Sequence, residues 1–352
     1  MKVESCNDGQ RRDWERLVDE SADATSGHLW QWREVVKGAY GFESHHLVAS
    51  DDRGRPIAGV PFIFVRSRLY GNELASMPYI DYGGICHADG SDADERKLAD
   101  HAIMDAARGL AKRLQAKRLH IRSPHKLPPP FELSTEKVTQ HLSLAKTIEE
   151  QFARLPSERR NRLKRCDKLS ITTEITESPS RRSIEEFSAI YSENMRDLGS
   201  PTHSSEFFRQ VVERLRGSLT LILVRHRDRA IAAGIALEFR GWMTLPWTGA
   251  THDARPVYGS NALYWAGIKL GIERGCHTFD FGRSTFNSGI FEFKRQWGPK
   301  AVQAYWHTLH LAPRSASPRQ RKSLQTISKI WKYMPLGVAR AVGPGLRRGI
   351  SN

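Results

Sequence analysis

Leu219-Thr220-Leu221-Ile222-Leu223-Val224, the polar turn His226-Arg227-Asp228-Arg229, and Ile231-Ala232-Ala233-Gly234-Ile235-Ala236-Leu237-Glu238-Phe239 decide the fold. Two apolar, β-rich runs around a short charged turn predict a hairpin. The same arrangement occurs earlier. His46-Leu47-Val48-Ala49-Ser50 leads through Asp51-Asp52-Arg53-Gly54-Arg55 to Ile57–Val65. Arg53-Gly54-Arg55-Pro56-Ile57-Ala58 aligns with Arg227-Asp228-Arg229-Ala230-Ile231-Ala232. Self-similarity over this length means two copies of one unit.

The surroundings of each hairpin agree. Before the first come a strand at Lys2–Ser5 and helices near Arg12–Glu20 and Leu29–Lys37. Before the second come a strand at Ser170–Thr176 and helices near Ser183–Arg196 and Ser205–Arg216. After the first follow a strand near Tyr79–Ile85, a helix marked by Leu98, Ala102, Ala106, Leu110 and Leu114, and strands at Arg118–Arg122 and Val138–Ala145. After the second follow Met243–Thr248, a helix marked by Trp265, Ile268 and Ile272, Thr278–Phe281, and a last strand at Val302–Leu311. Each half reads strand, two helices, meander, helix, strand, strand. That is the order of the GNAT acyltransferase fold, so the expected class is α/β (α+β) with two tandem GNAT-like domains. The expected bounds are 1–146 and 170–313, joined by a basic connecting helix at 147–169 and followed by a basic tail at 314–352.

At 352 residues the chain is long enough for two cores. No run of about 18 apolar residues predicts a membrane span, and Met1–Ser5 lacks a signal-like apolar region. Cys6, Cys86, Cys166 and Cys276 form no C-x-x-C pair, and the histidines lack metal-ligand spacing. No metal or disulfide framework is expected, and the expected compartment is the reducing cytoplasm. Net charge is +15. Arg159, Arg160, Arg162, Lys164 and Arg165 form one basic cluster. From Arg314 onward, nine Lys and Arg occur with no acid. Such stretches attract phosphates, RNA or anionic lipid. Ile330, Trp331, Tyr333, Met334, Leu336 and Val338 among those charges suit either an interfacial helix or packing onto the domains. Pro335 and Gly343-Pro344-Gly345 are expected to keep any helix there short.

The two copies differ where a site would matter. The second has Phe279-Asp280-Phe281-Gly282-Arg283-Ser284, a polar loop, and then Ile290-Phe291-Glu292-Phe293-Lys294-Arg295-Gln296-Trp297-Gly298. A strand end, a loop and a lysine among aromatics is a common site design. The first copy has only Ser123-Pro124-His125-Lys126 there, so the second is expected to carry the site. In a GNAT fold the loop entering the helix after the meander cradles the pyrophosphate of acyl-CoA. Here it is Arg255-Pro256-Val257-Tyr258-Gly259-Ser260-Asn261-Ala262, without the usual Q/R-x-x-G-x-G/A pattern. Ser260 and Asn261 are expected to cap the helix, with residual anion affinity at Gly259 and Asn261.

Over about residues 10 to 345 the sequence resembles the FemAB family of tandem GNAT-like acyltransferases, and within it the group associated with PEP-CTERM/exosortase exopolysaccharide systems. The resemblance rests on Asn194-Met195-Arg196-Asp197-Leu198-Gly199-Ser200-Pro201, the Tyr264-Trp265 helix, Phe279–Ser284, Phe293-Lys294-x-x-Trp297-Gly298 and Arg159-Asn161-Arg162. It implies transfer of an acyl or aminoacyl group to an amine of a cell-envelope or exopolysaccharide precursor. Fem enzymes place a Phe-Lys pair beside the transferred group, which maps onto Phe293 and Lys294. Lys294 would then stabilise the oxyanion, an effect worth roughly a few kcal/mol, or hold the donor's phosphate or ribose end. Arg196 matches their arginine for the acceptor's diphosphate, and their phosphate-binding tyrosine falls near Trp247. Arg283 is a further substrate-binding candidate. Asp280 is either a general base or a partner of Arg283. No tightly bound cofactor is implied. The donor is aminoacyl-tRNA or acyl-CoA as a co-substrate, and the long helical arm some Fem enzymes use for tRNA is missing. The acceptor is a small or lipid-linked amine; the basic tail would meet an anionic membrane, and no DNA partner is implied. The competing expectations are an acetyl-CoA-dependent N-acetyltransferase and a non-enzymatic polyanion- or membrane-binding scaffold.

Overall fold

The computed structural model describes residues 1–127, 130–312 and 328–351. Arg314, Arg319, Arg321 and Lys322 of the basic tail lie outside the described residues. The chain divides into two compact units, 1–135 with 304–315 and 348–352, and 136–303 with 316–347.

The first unit contains β1 (Lys2–Cys6), α1 (Arg11–Asp19), α2 (Trp32–Tyr40), β2 (Glu43–Ser50), β3 (Pro56–Val65), β4 (Glu73–Ser76), β5 (Cys86–His87), α3 (Ala93–Arg113), β6 (Arg118–Ser123) and β7 (Glu132–Ser134). The second contains β8 (Lys137–Ser143), α4 (Ile148–Arg154), α5 (Ser157–Lys168), β9 (Ile171–Thr176), α6 (Arg181–Asp197), α7 (Ser205–Arg214), β10 (Leu219–His226), β11 (Arg229–Phe239), β12 (Trp242–Ala250), α8 (Gly259–Glu273), β13 (Thr278–Asp280), β14 (Ser284–Thr285), α9 (Gly289–Arg295) and β15 (Lys300–Gln303). β16 (Tyr305–His310) belongs to the first unit. α10 (Leu336–Arg348) runs in the second as far as Arg347.

Both units are mixed sheets with helices. The first sheet has the order β1-β2-β3-β4-β6-β16-β7, with β5 beside β3. The second has the order β14-β8-β13-β12-β11-β10-β9, with β15 beside β8. Among the described residues each sheet has one parallel pair, β4 with β6 and β12 with β13. The apolar residues of the hairpins, together with α3 in one unit and α8 in the other, make the two cores. The tandem GNAT-like expectation is therefore the observed architecture.

The domain bounds differ from the repeat pattern. β8, read as the last strand of the first copy, pairs with β13, β14 and β15 in the second sheet. The single last strand expected at Val302–Leu311 is two strands. Its first part, β15, stays in the second sheet, and β16 pairs with β6 and β7 in the first. Each sheet thus takes its strand beside β6 or β13 from the other repeat. Alternation of apolar residues marks a strand and is silent about which edge it joins.

Three local expectations also change. No strand covers Tyr79–Ile85: Met77 and Tyr79 have φ of 34° and 77°, and the strands are β4 before and β5 after. Left-handed backbone cannot continue a ladder. The connecting helix expected at 147–169 breaks at Leu155-Pro156 into α4 and α5, because the residue before a proline is held extended. Leu155, Leu163 and Cys166 lie in the second core, so α5 is part of that unit and not a connector. α10 runs through Pro344 to Arg348, beyond the expected stop. Among the described residues no helix is long and apolar enough to cross a membrane.

Candidate active site

The parallel pair β12 and β13 is short. Trp242, Met243 and Thr244 pair with Thr278, Phe279 and Asp280, and there the pairing ends. β12 continues to Ala250, while the chain after β13 turns toward β8, with the Phe281 amide donating to the Gln140 carbonyl. The two strands part, and the stretch from Leu245 to Ala250 loses its neighbour on that edge. A bulge marks the same point. Ile235 faces Trp247 and Leu237 faces Thr244, so Leu245 and Pro246 oppose Ala236 alone. Bulges bend a strand and re-aim it, and they recur beside sites. α8 lies close over the root of the opening because Gly267 has no side chain; a Cβ there would stand 3.0 Å from Leu245 and 3.1 Å from Phe279.

One wall of the opening is aromatic. Tyr264 of α8 stacks on Phe281, with centroids 5.4 Å apart, and also meets Phe293 at 5.5 Å and Trp297 at 6.3 Å. Its phenol bonds to Thr248 on the free part of β12, and burial pushes its pKa up. Behind this wall is Arg159, from the basic cluster. Its guanidinium lies 5.2 Å from the Phe293 ring and 4.7 Å from the Trp297 ring, and donates to Asn261 Oδ1 and Gln296 Oε1. Burial, reinforced by Arg162, pushes it down to about 10. Arg159 is thus a buried cation with neutral partners, still charged at physiological pH.

Lys294 is 5 % exposed, and its Nζ donates to the carbonyls of Gly282 (3.0 Å) and Arg283 (2.9 Å). Gly282 has φ of 71°, which aims these carbonyls inward at the turn after β13. Asp280 accepts from the Gly282 amide at 2.8 Å and lies 3.7 Å from His141 Nε2. Burial holds His141 down to about 4, so this contact is no ion pair at neutral pH. Lys294 and Asp280 together pin the turn that presents Arg283.

The opposite side is built by α6 and α7. Trp247 packs its ring on Phe207 (5.6 Å) and Phe208 (6.0 Å), and Tyr191 and His203 join the cluster. Arg347 of α10 donates its Nε–H to His203 Nε2 at 3.1 Å. Burial, with the charges of Arg347 and Arg283, keeps His203 neutral well below its ordinary pKa. Burial raises the Tyr191 phenol, while the same two charges oppose the rise. Arg283 and Arg347 therefore act on one spot from two distant parts of the sequence.

The expected residues separate accordingly. Phe293, Lys294, Arg283, Asp280 and Asn261 meet around the opening. Trp247 reaches it as part of the aromatic cluster. Arg196 pairs with Asp197 at 2.7 Å, and Asp197 with His252 at 3.0 Å, at the end of α6. Gly259 packs against Ala254 and Ile231. Neither Ser260 nor Asn261 caps α8: the N-cap is Tyr258, left-handed at φ 59° and making no side-chain capping bond, while Asn261 has turned to Arg159. Arg347, Tyr191 and His203 were not singled out by sequence. Arg347 is one of nine tail cations, and only the fold separates it from the rest.

In the first unit the comparable place is filled. β4 ends at Ser76, and the buried Arg122 donates to the carbonyls of Ile80 and Ser351 while its guanidinium lies 4.9 Å from the Trp306 ring.

Residues 157–295 match the family described as acetyltransferase (GNAT) domain. No curated protein matches the sequence. Among solved structures, FemX is similar at 13 % identity and a TM-score of 0.67, over 93 % of this chain and 100 % of that one. A tandem GNAT protein from the clavulanic acid biosynthesis pathway gives 12 %, 0.56, 89 % and 100 %. L-PGS from Bacillus licheniformis gives 11 %, 0.54, 91 % and 96 %. At such identities these likenesses concern the fold. The match begins at the first residue of α5 and ends at the last of α9, which encloses both walls of the opening except Trp297 and Arg347. The chain thus has the tandem GNAT fold seen in FemX, and residues 157–295 of its second unit match a GNAT acetyltransferase domain.

Proposed function

We propose that the protein transfers an acyl or aminoacyl group to an amine of a cell-envelope or exopolysaccharide precursor, at the cytoplasmic face of the membrane. The observation that carries this is the opening between β12 and β13, walled by Tyr264, Phe281, Phe293 and Trp297 in the GNAT-matching unit. The free edge of β12 offers backbone N–H groups to an acyl carbonyl, and such fixed donors stabilise a developing oxyanion. The acceptor is an amine carrying an anionic group, attracted by Arg283 and Arg347. Arg196 is a weaker candidate for that role, because Asp197 already neutralises it. Lys294 holds the Gly282–Arg283 turn and so positions Arg283; Asp280 fixes the same turn and is not needed as a base. The Tyr264 phenol, kept protonated by burial, is suited to donate a proton to the leaving group.

An acyl-CoA donor is the second reading, favoured by the family description. Against it, α5 lies on the first turn of α8, with Arg165 bonded to the Tyr258 hydroxyl and Cys166 to the carbonyls of Val257 and Tyr258. Coenzyme A titration by calorimetry separates the readings, with weak or no binding expected. The main test is mass spectrometry of envelope glycans and lipid-linked precursors from a strain lacking the gene. An amide should disappear on deletion, return with the wild-type gene, and stay absent with Lys294→Ala, whose transfer rate should fall about 100-fold or more as the turn is released. Unchanged precursor masses would sink the assignment.

A further inference from the structure

We propose that α10 and the residues just before it form a docking surface for a bilayer containing anionic lipid. α10 rests on the second unit by one side only. Ala339, Gly343 and Arg347 are buried, Gly343 lies against Thr202 and Trp331, and Arg340 reaches the Ala189 carbonyl at 3.1 Å. At 3.6 residues per turn the opposite side carries Gly337, Val338, Ala341, Gly345 and, at the helix end, Arg348, with Val342 on its flank. Val338 is 46 % exposed and Val342 47 %. Shortly before the helix, Ile330 is 60 % exposed and Tyr333 89 %.

A helix on a water-soluble surface normally turns its apolar stripe inward and its charges outward. This one buries Arg347 with Ala339 and Gly343, and leaves two valines outward beside the exposed Arg340 and Arg348. The surface around it is cationic: Lys329, Lys332, Arg340 and Arg348 are exposed. No acid occurs from Arg314 to the end. Charge complementarity therefore selects the occupant. A second copy of the chain would bring the same unopposed cations and be repelled. RNA would use the cations but has no use for exposed Ile330, Val338 and Val342. An anionic bilayer uses both, since its headgroups attract the cations and its boundary with the acyl chains buries the valines. Each lysine or arginine near such a surface strengthens binding roughly five-fold.

The test is co-sedimentation of the full chain with vesicles of phosphatidylcholine, with and without phosphatidylglycerol. The wild type should bind the mixed vesicles and leave the neutral ones largely unbound. Val338→Asp/Val342→Asp should weaken binding about ten-fold or more, as should Lys329→Glu/Lys332→Glu. Circular dichroism and the melting temperature check that both variants remain folded, and Val338→Ser/Val342→Ser serves if the aspartates disturb the helix. Wild-type protein that ignores mixed vesicles overturns the proposal. So do valine variants that bind as tightly as wild type, or a tail that binds tRNA while ignoring lipid. The readout involves no catalysis, so its failure leaves the acyl-transfer reading intact, and the reverse also holds.

Discussion

His87 shows how far one residue's chemistry depends on neighbours distant in sequence. Its Nδ1 lies 3.0 Å from Asp23 and its Nε2 2.8 Å from Asp100. Burial opposes its charge, but the bonds to the two carboxylates outweigh it and push the pKa up to about 9. The unfolded value is about 6.5. The protonated form is therefore stabilised by folding. This contribution is fully present below about pH 6.5 and is lost as pH rises through about 9. Urea midpoints should fall across that window, and His87→Gln should flatten the dependence; a level wild-type profile would refute it. Lys294 makes the complementary point. The sequence marked it because it is the one lysine in an aromatic segment. What it touches, two backbone carbonyls on a turn eleven and twelve residues back, depends on how α9 folds against β13. Arg159 could not be picked from its cluster at all, because five cations in seven positions look alike until one is buried.

At the scale of elements, α5 was the hardest to read. Among its twelve residues only Leu163 and Cys166 offer the core an apolar side chain, so it resembles a solvated linker. Yet it covers the start of α8 and places Arg159 behind the aromatic wall. Leu163→Ala should lower unfolding free energy by about 2–5 kcal/mol, measured by urea titration; a connector would lose under about 0.5 kcal/mol. The hairpins were the easiest, because alternation and turn chemistry are local. α10 fell between. Its proline and glycines argue for a stop, yet the first half of the helix packs on α6 and the loop after it, and this carries the chain past Pro344. Packing outweighed propensity there.

For the whole molecule, the exchanged strands matter most. A cut at the repeat boundary, after Lys146, leaves the N-terminal piece without β16 and with β8 unpaired. The C-terminal piece then lacks β8, the partner of β13, β14 and β15. Exposed, unpaired strand edges promote aggregation. Residues 1–146 and 147–352 expressed separately should each be insoluble, and co-expression should recover soluble protein. Two soluble, monomeric halves would show that each sheet closes without the exchanged strand.

The sequence by itself determined the number of units and most of the order of their elements, and it pointed to the second unit for the proposed site. These follow from periodicity, turn residues and a contrast between repeats, all of which are local. The tertiary structure alone decided which sheet takes β8 and β16, how β12 and β13 part, and which cations become buried. It also showed that α10 turns valines outward. Those outcomes depend on contacts between residues far apart in the chain, and strand edge, burial and facing direction have no signature in a single stretch of sequence.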